Sequence, residues 1–124
     1  MPKTKVVFFQ EVDGSIPLLD WLDEQSVKVR LKCLARLQRL EELGHELRRP
    51  ESDYLRDGIY ELRIAMRGVN YRILYFFQEN VAAVVSHGLT KEREVPAREI
   101  DHAAERMRRF KADPDRHVFS PKSS

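Results

Sequence analysis

Apolar and polar residues alternate most regularly between Ile59 and Leu89, in the stretch IYELRIAMRGVNYRILYFFQENVAAVVSHGL. A period of two marks a strand with one face toward a core. The stretch therefore predicts three consecutive antiparallel strands. In the first, Tyr60, Leu62, Ile64 and Met66 alternate with Glu61, Arg63 and Ala65. In the second, Tyr71, Ile73, Tyr75 and Phe77 share one face, and Arg72, Leu74 and Phe76 share the other. That strand is apolar on both faces apart from Arg72, as suits a central strand covered on both sides. The third runs from Val81 to His87. The turns are expected at Arg67-Gly68 and Glu79-Asn80, because Gly and Asn accept the positive φ that tight hairpins need.

Outside this meander the pattern is mostly helical. Lys5 to Val12, KVVFFQEV, is short, β-branched and aromatic, and predicts a strand. Gly14 and Ser15 end it, and Ser15 is placed to cap a short helix from Pro17 to Glu24. Ser26 is the expected cap of the longest helix, which runs to Leu43 and stops at Gly44. Its leucines, Leu31, Leu34, Leu37, Leu40 and Leu43, recur every three residues, so the apolar stripe winds around a helix of 3.6 residues per turn. Lys28, Lys32, Arg36 and Arg39 form a basic ridge on the side opposite the early part of that stripe. His45 to Asp57 reads as a polar connection broken by Pro50. Pro96 opens a last amphipathic helix, Ala97 to Lys111. Residues 1–112 are expected to form one domain, with 113–124 a polar, mobile tail in which Val118-Phe119 is able to dock.

Composition narrows the class. Charged residues make up 34% of 124 and hydrophobic residues 42%, with a net charge of only +2. Total charge therefore says little, and local clustering must carry any nucleic-acid argument. The chain has one cysteine, Cys33, so no intramolecular disulfide forms, and its helical setting makes it a packing residue. No apolar run reaches a membrane span and no signal-peptide pattern opens the chain, so a cytoplasmic location is expected. The histidines His45, His87, His102 and His117 lack zinc-site spacing, and no Gly-rich phosphate loop occurs. No metal and no cofactor is expected.

Hairpin register supplies the candidate chemistry. A two-residue turn at Arg67-Gly68 pairs Met66 with Val69 and sets Arg63 opposite Arg72. A two-residue turn at Glu79-Asn80 pairs Gln78 with Val81 and sets Arg72 opposite His87. Directly opposed residues share a face, so Arg63, Arg72 and His87 are expected in one row across three strands. Opposed like charges cost up to roughly 1 kcal/mol, and a bound anion would reverse the sign. Glu61, on the face of Arg63, offers the competing outcome of a structural ion pair.

With these elements in order, the segments GIYELR (Gly58–Arg63), NYRILYFF (Asn70–Phe77), SHGLTK (Ser86–Lys91) and the Pro96, Glu99-Ile100 and Ala103 pattern of PAREIDHA resemble the RelE/ParE toxin superfamily of bacterial toxin–antitoxin systems. The match, closest over Tyr54–Phe110, is most like the phage-derived, HigB-like branch. The resemblance implies an α+β fold, with two N-terminal helices on one face of a twisted antiparallel sheet of about four strands and a C-terminal helix. It implies active residues on the concave opposite face. It also implies messenger-RNA cleavage at the ribosome, and a cognate antitoxin, often of helix-turn-helix type, within a larger complex of unspecified stoichiometry. Arg63, Arg72 and Lys91 fall on positions that are basic in active members. Leu89 and Glu92 stand where the family usually has an aromatic residue and a second lysine.

Metal-independent RNA cleavage requires a base for the 2′-hydroxyl, stabilisation of the phosphate and an acid for the leaving oxygen. Arg63 and Arg72 are assigned to the phosphate, His87 to proton transfer, Lys91 to charge neutralisation or protonation, and Glu61 to orientation or base. The expected RNA track comprises Lys28, Lys32, Arg36, Arg39, Arg48, Arg49, Arg56, Arg67 and Arg93, and the leucine stripe from Leu31 to Leu43 is the expected antitoxin groove. Two alternatives use the same fold: a ParE-like inhibitor of DNA gyrase, and a catalytically degenerate toxin that only binds its antitoxin.

Overall fold

Two helices cover one face of a six-stranded sheet and one helix covers much of the other. The computed structural model describes residues 4–79, 82–90 and 93–121. The elements are β1 (Lys5–Phe9), α1 (Pro17–Asp23), α2 (Val27–Leu43), a 3-10 turn (Gly44–Glu46), β2 (Ser52–Arg56), β3 (Ile59–Met66), β4 (Val69–Gln78), β5 (Ala82–Thr90), α3 (Ala97–Ala112), a short α4 (Pro114–His117) and β6 (Val118–Phe119). The sheet order is β2-β3-β4-β5-β1-β6. All pairings are antiparallel except β1 with β5, which is parallel.

The expected α+β class, helix order and meander are all present. The sheet has two more strands than expected, β2 and β6. β2 occupies part of the segment read as a polar connection. It joins β3 through Asp57 (φ 54°) and Gly58 (φ 84°), with Arg56 opposite Ile59. Positive φ at both turn residues is the geometry of a type I′ hairpin, for which Asp-Gly is a strong sequence signal. That dipeptide was the cue to β2. The β3–β4 turn repeats it at Arg67 (φ 52°) and Gly68 (φ 79°).

The segment expected to be a mobile tail is anchored through Phe119. His117 is buried, its Nδ1 lies 2.8 Å from the Gln10 carbonyl, and its ring stacks on Phe9. Val118 and Phe119 then pair with Phe9 and Phe8. Without β6, the outer edge of β1 would present unpaired backbone to solvent.

Each sheet face has its own core. Leu18 and Leu22 of α1, with Val29, Cys33, Leu37 and Leu40 of α2, pack on Phe8, Leu62, Ile64, Ile73, Tyr75 and Val85. On the opposite face Ile100, Ala103 and Phe110 of α3 pack on Val7, Phe9, Ile59, Leu74, Phe76 and Val84. Burial pushes the Cys33 thiol up to about 11, which leaves it a protonated packing group. Local signals set the helix ends. Ser26 caps α2, its hydroxyl accepting from the Val29 amide, and Gly44 ends that helix at φ 54°. Ser15 does not cap α1; its amide and hydroxyl both donate to Asp13, and Ile16 occupies the cap position.

The winding leucine stripe divides between core and surface. Leu37 and Leu40 are buried and Leu43 packs against the core, so those three belong to the fold and not to an antitoxin groove. Leu31 (61% exposed) and Leu34 (48%) face solvent with Val27, and spacings of four and three put these residues on one helix face.

Candidate functional site

The β3–β4 register is the expected one. Met66 pairs with Val69, and Arg63 lies directly opposite Arg72. Their face is that of Leu74 and Phe76, the side covered by α3. Here the two guanidinium groups meet around one acid. Glu61 is 1% exposed; Oε2 accepts from Arg63 Nε at 3.0 Å and Oε1 from Arg72 Nη1 at 2.5 Å. Arg72 also donates to the Arg93 carbonyl at 3.1 Å. Asp53 extends the cluster, since its Oδ2 accepts from Arg49 at 2.8 Å and lies 3.5 Å from Arg63 Nη2. Three guanidinium groups thus share two carboxylates, and one positive charge is left over.

Glu61 offsets the repulsion between the opposed arginines, as in the structural ion pair that competed with the anion site. It does not remove them from solvent. The Arg63 side chain is 37% exposed, and both arginines line open clefts of about 360 and 420 Å³ on either side of the pair. The arginines therefore have partners when empty and remain reachable by an anion.

His87 does not complete the row. Gln78 pairs with Ala82, one position beyond the expected Val81, and a register shift between Leu74 and Tyr75 adds a second residue. Two slips of one residue restore the face and move the partner by two. His87 consequently opposes Leu74, and Arg72 opposes Leu89. The histidine lies beneath α3. Nε2 is 2.9 Å from Glu99 Oε1, while Nδ1 receives Arg106 Nη1 at 3.1 Å and lies 2.8 Å from Ser86 Oγ. Burial pushes its pKa below 6.5; the Glu99 hydrogen bond opposes this and the Arg106 charge adds to it. Arg106 donates to Nδ1, so the neutral ring carries its proton on Nε2 and donates it to Glu99. All polar positions of the ring are occupied, and His87 is a tether between sheet and helix, not a proton carrier at Arg72. Lys91, the remaining expected catalytic residue, lies outside the described residues.

The basic ridge of α2 has structural partners for most of its length. Beyond Ser52, β2 no longer covers the edge of β3, whose carbonyls at Arg63 and Ala65 would otherwise be open. Arg36 Nη1 donates to the Arg63 carbonyl at 2.5 Å and Lys32 Nζ to that of Ala65 at 3.1 Å. Arg39 makes a two-pronged contact with Glu51 at 2.9 and 2.8 Å. These residues close the sheet edge and do not form a free phosphate track, whereas Lys28 is exposed. Arg56 is likewise a clamp, bonded to Asp57, to Asp101 of α3 and to the Ala97 carbonyl. Arg48, Arg49, Arg67 and Arg93 are exposed. Among the described residues no cluster of His, Cys, Asp and Glu has the makings of a metal site, and no helix is long and apolar enough to cross a membrane.

Residues 20–108 match the family described as phage-derived protein Gp49-like (DUF891). The chain belongs to that family. The matched span begins in α1 and ends in α3, so it takes in α2, the whole meander, Glu61, both opposed arginines and the His87–Glu99 tether. β1, which extends the sheet beyond β5, and β6, which closes its far edge, lie outside the Gp49-like span. No curated protein matches the chain.

Proposed function

We propose that this Gp49-like protein is the toxin of a type II toxin–antitoxin system, of the RelE/ParE superfamily and its HigB-like branch, and that it cleaves translated messenger RNA at the ribosome without a metal. The observation that carries the reading is Arg63 opposite Arg72, both solvent-reachable and both held by Glu61. A phosphodiester entering the clefts meets two planar forks already aimed by a buried carboxylate. Each can donate two hydrogen bonds to phosphate oxygens, and together they stabilise the extra charge of the pentavalent transition state. Pre-set donors need little reorganisation as that charge grows. Glu61 is the positioning residue. Both of its carboxylate oxygens accept from guanidinium groups. Lys91 follows Thr90 in sequence and is assigned to charge neutralisation or leaving-group protonation by its position in the chain alone.

The partner reading follows from α2. Val27, Leu31 and Leu34 form an exposed apolar strip on the helix that closes the sheet edge beside Arg63. A cognate antitoxin docking its own apolar segment there would cover the strip and stand beside the arginine cleft.

The test is induction in cells followed by mapping of RNA 5′ ends. Cuts phased with codons that disappear in Arg72→Ala support the nuclease. Intact transcripts with trapped gyrase–DNA complexes assign the ParE-like activity instead. Intact transcripts and uninhibited growth assign an antitoxin-binding protein in which the Glu61 pair is purely structural.

A further inference from the structure

The opposite side of the same sheet edge carries a ladder of aromatic rings. Tyr54 lies opposite Tyr60, and Tyr60 opposite Tyr75. Tyr54 meets Tyr60 edge to face with centroids 5.0 Å apart, and Tyr60 stacks on Tyr75 at 5.4 Å. Beside them His45 stacks on Phe77. With Arg48 and Arg49, the rings of His45, Tyr54 and Tyr60 border an open cleft of about 500 Å³, while Tyr75 is buried behind them. Its buried polar groups are already satisfied, since the Ser52 and Tyr75 hydroxyls share a hydrogen bond. What the cleft offers is ring surface and positive charge.

Tyr54 is the unusual member. It is 52% exposed, yet its hydroxyl accepts from the Gly58 amide at 3.0 Å, so an aromatic ring is fixed in water. A fixed ring loses little conformational freedom on contact. The rim is also continuous with the arginine pair. Asp53, which lines the cleft, receives Arg49 and lies beside Arg63, so Arg49–Asp53–Arg63–Glu61–Arg72 runs around the outermost strand of the sheet.

The geometry points to this cleft as a seat for one unpaired base of the nucleic acid whose phosphodiester lies at Arg63 and Arg72. Tyr54 supplies the stacking face, and Arg48 and Arg49 supply charge for the neighbouring phosphates. Aromatic platforms beside cationic groups hold single strands because every base has a face to stack. A base within a duplex is already stacked and cannot enter. The inference rests on the RNA reading above. It adds that the bound RNA is single-stranded and that a base near the scissile phosphate contributes to affinity.

The experiment measures binding of a short labelled RNA to the full chain by fluorescence anisotropy at fixed salt. Tyr54→Ala is expected to weaken binding about tenfold, the usual loss for one stacked base, while Tyr54→Phe, which keeps the stacking face and loses only the hydrogen bond that fixes it, falls between Tyr54→Ala and wild type. Removing a single base from the oligonucleotide should weaken wild type at one position and leave Tyr54→Ala unaffected there, because the same contact cannot be lost twice. The slope of affinity against salt should be the same in wild type and Tyr54→Ala, since no phosphate contact is removed. If Tyr54→Ala binds like wild type while Arg72→Ala is weakened, the base seat is overturned and the arginine site stands. Equal affinity for duplex and single strand also overturns the seat. If wild type binds no RNA, the base seat falls, and the nuclease reading is decided separately by the mapping of RNA 5′ ends.

Discussion

Glu61→Gln separates the two roles that the arginine cluster can have. The substitution keeps shape and removes one negative charge from a site that is 1% exposed. One amide oxygen can still accept from Arg63 or Arg72, but the amide NH2 would then face the other guanidinium. The Arg72–Glu61 pair, with side chains 12% and 2% exposed, sets most of the cost. Breaking such a buried pair costs about 3–5 kcal/mol. The Arg63 contact adds little, because that side chain is 37% exposed and water takes over. Retention of one hydrogen bond places the expected loss near the bottom of the range, at about 3 kcal/mol, which a domain of ordinary stability survives. RNA binding should move the other way. A carboxylate roughly 6 Å from a bound phosphate repels it by about 2–3 kcal/mol at an effective dielectric constant near 20. Salt and solvent screening leave on the order of 1 kcal/mol, or about fivefold tighter binding. Urea unfolding followed by circular dichroism and RNA anisotropy at one salt concentration read the two effects. A variant that loses stability and also binds RNA no better would refute the view that the Glu61 charge opposes a phosphate held by the two arginines.

Two further outcomes follow from the sheet. The folded-state pKa of His87 is depressed, so the unfolded chain binds more protons just below pH 6.5. Stability should fall as pH drops from 6.5 toward that lower value, at up to about 1.4 kcal/mol per pH unit; His87→Gln should remove this slope, and an unchanged urea profile would contradict the buried neutral ring. At Gly88 an added Cβ would lie 2.2 Å from Trp21 Cε3, so Gly88→Ala should cost about 1–3 kcal/mol and shift the emission of the single tryptophan; a native spectrum and midpoint would contradict the close packing of β5 on α1.

Local pattern made the meander legible because each hairpin residue reports on its own conformation. Arg67-Gly68 fixed the β3–β4 register, and with it the pairing of Arg63 with Arg72. The β4–β5 register was not legible. It depends on a bulge whose extra residue, near Ser86, leaves no periodic trace in a strand that is apolar on both faces. β2 was missed although Asp57-Gly58 announced it, because charge in the preceding residues masked a short edge strand. The basic ridge of α2 was visible as a pattern, but its role depended on where β2 ends. Lys32 and Arg36 serve carbonyls of a strand about thirty residues away, and no spacing within α2 encodes that. Leu37 and Leu40 went to the core and Leu31 and Leu34 to solvent, for a related reason. Which side of a winding stripe is covered is decided by the sheet beneath it.

The most direct measurement is NMR of the arginine Nε–Hε groups during titration with a short RNA carrying a 2′-deoxy sugar at the cleavage position, so that it binds without being cut. Arg63 and Arg72 should both shift and gain protection from exchange with water as the phosphodiester takes up their remaining donors beside Glu61, while Arg39, paired with Glu51, stays where it is. Unmoved Arg63 and Arg72 signals at saturating RNA would contradict the account.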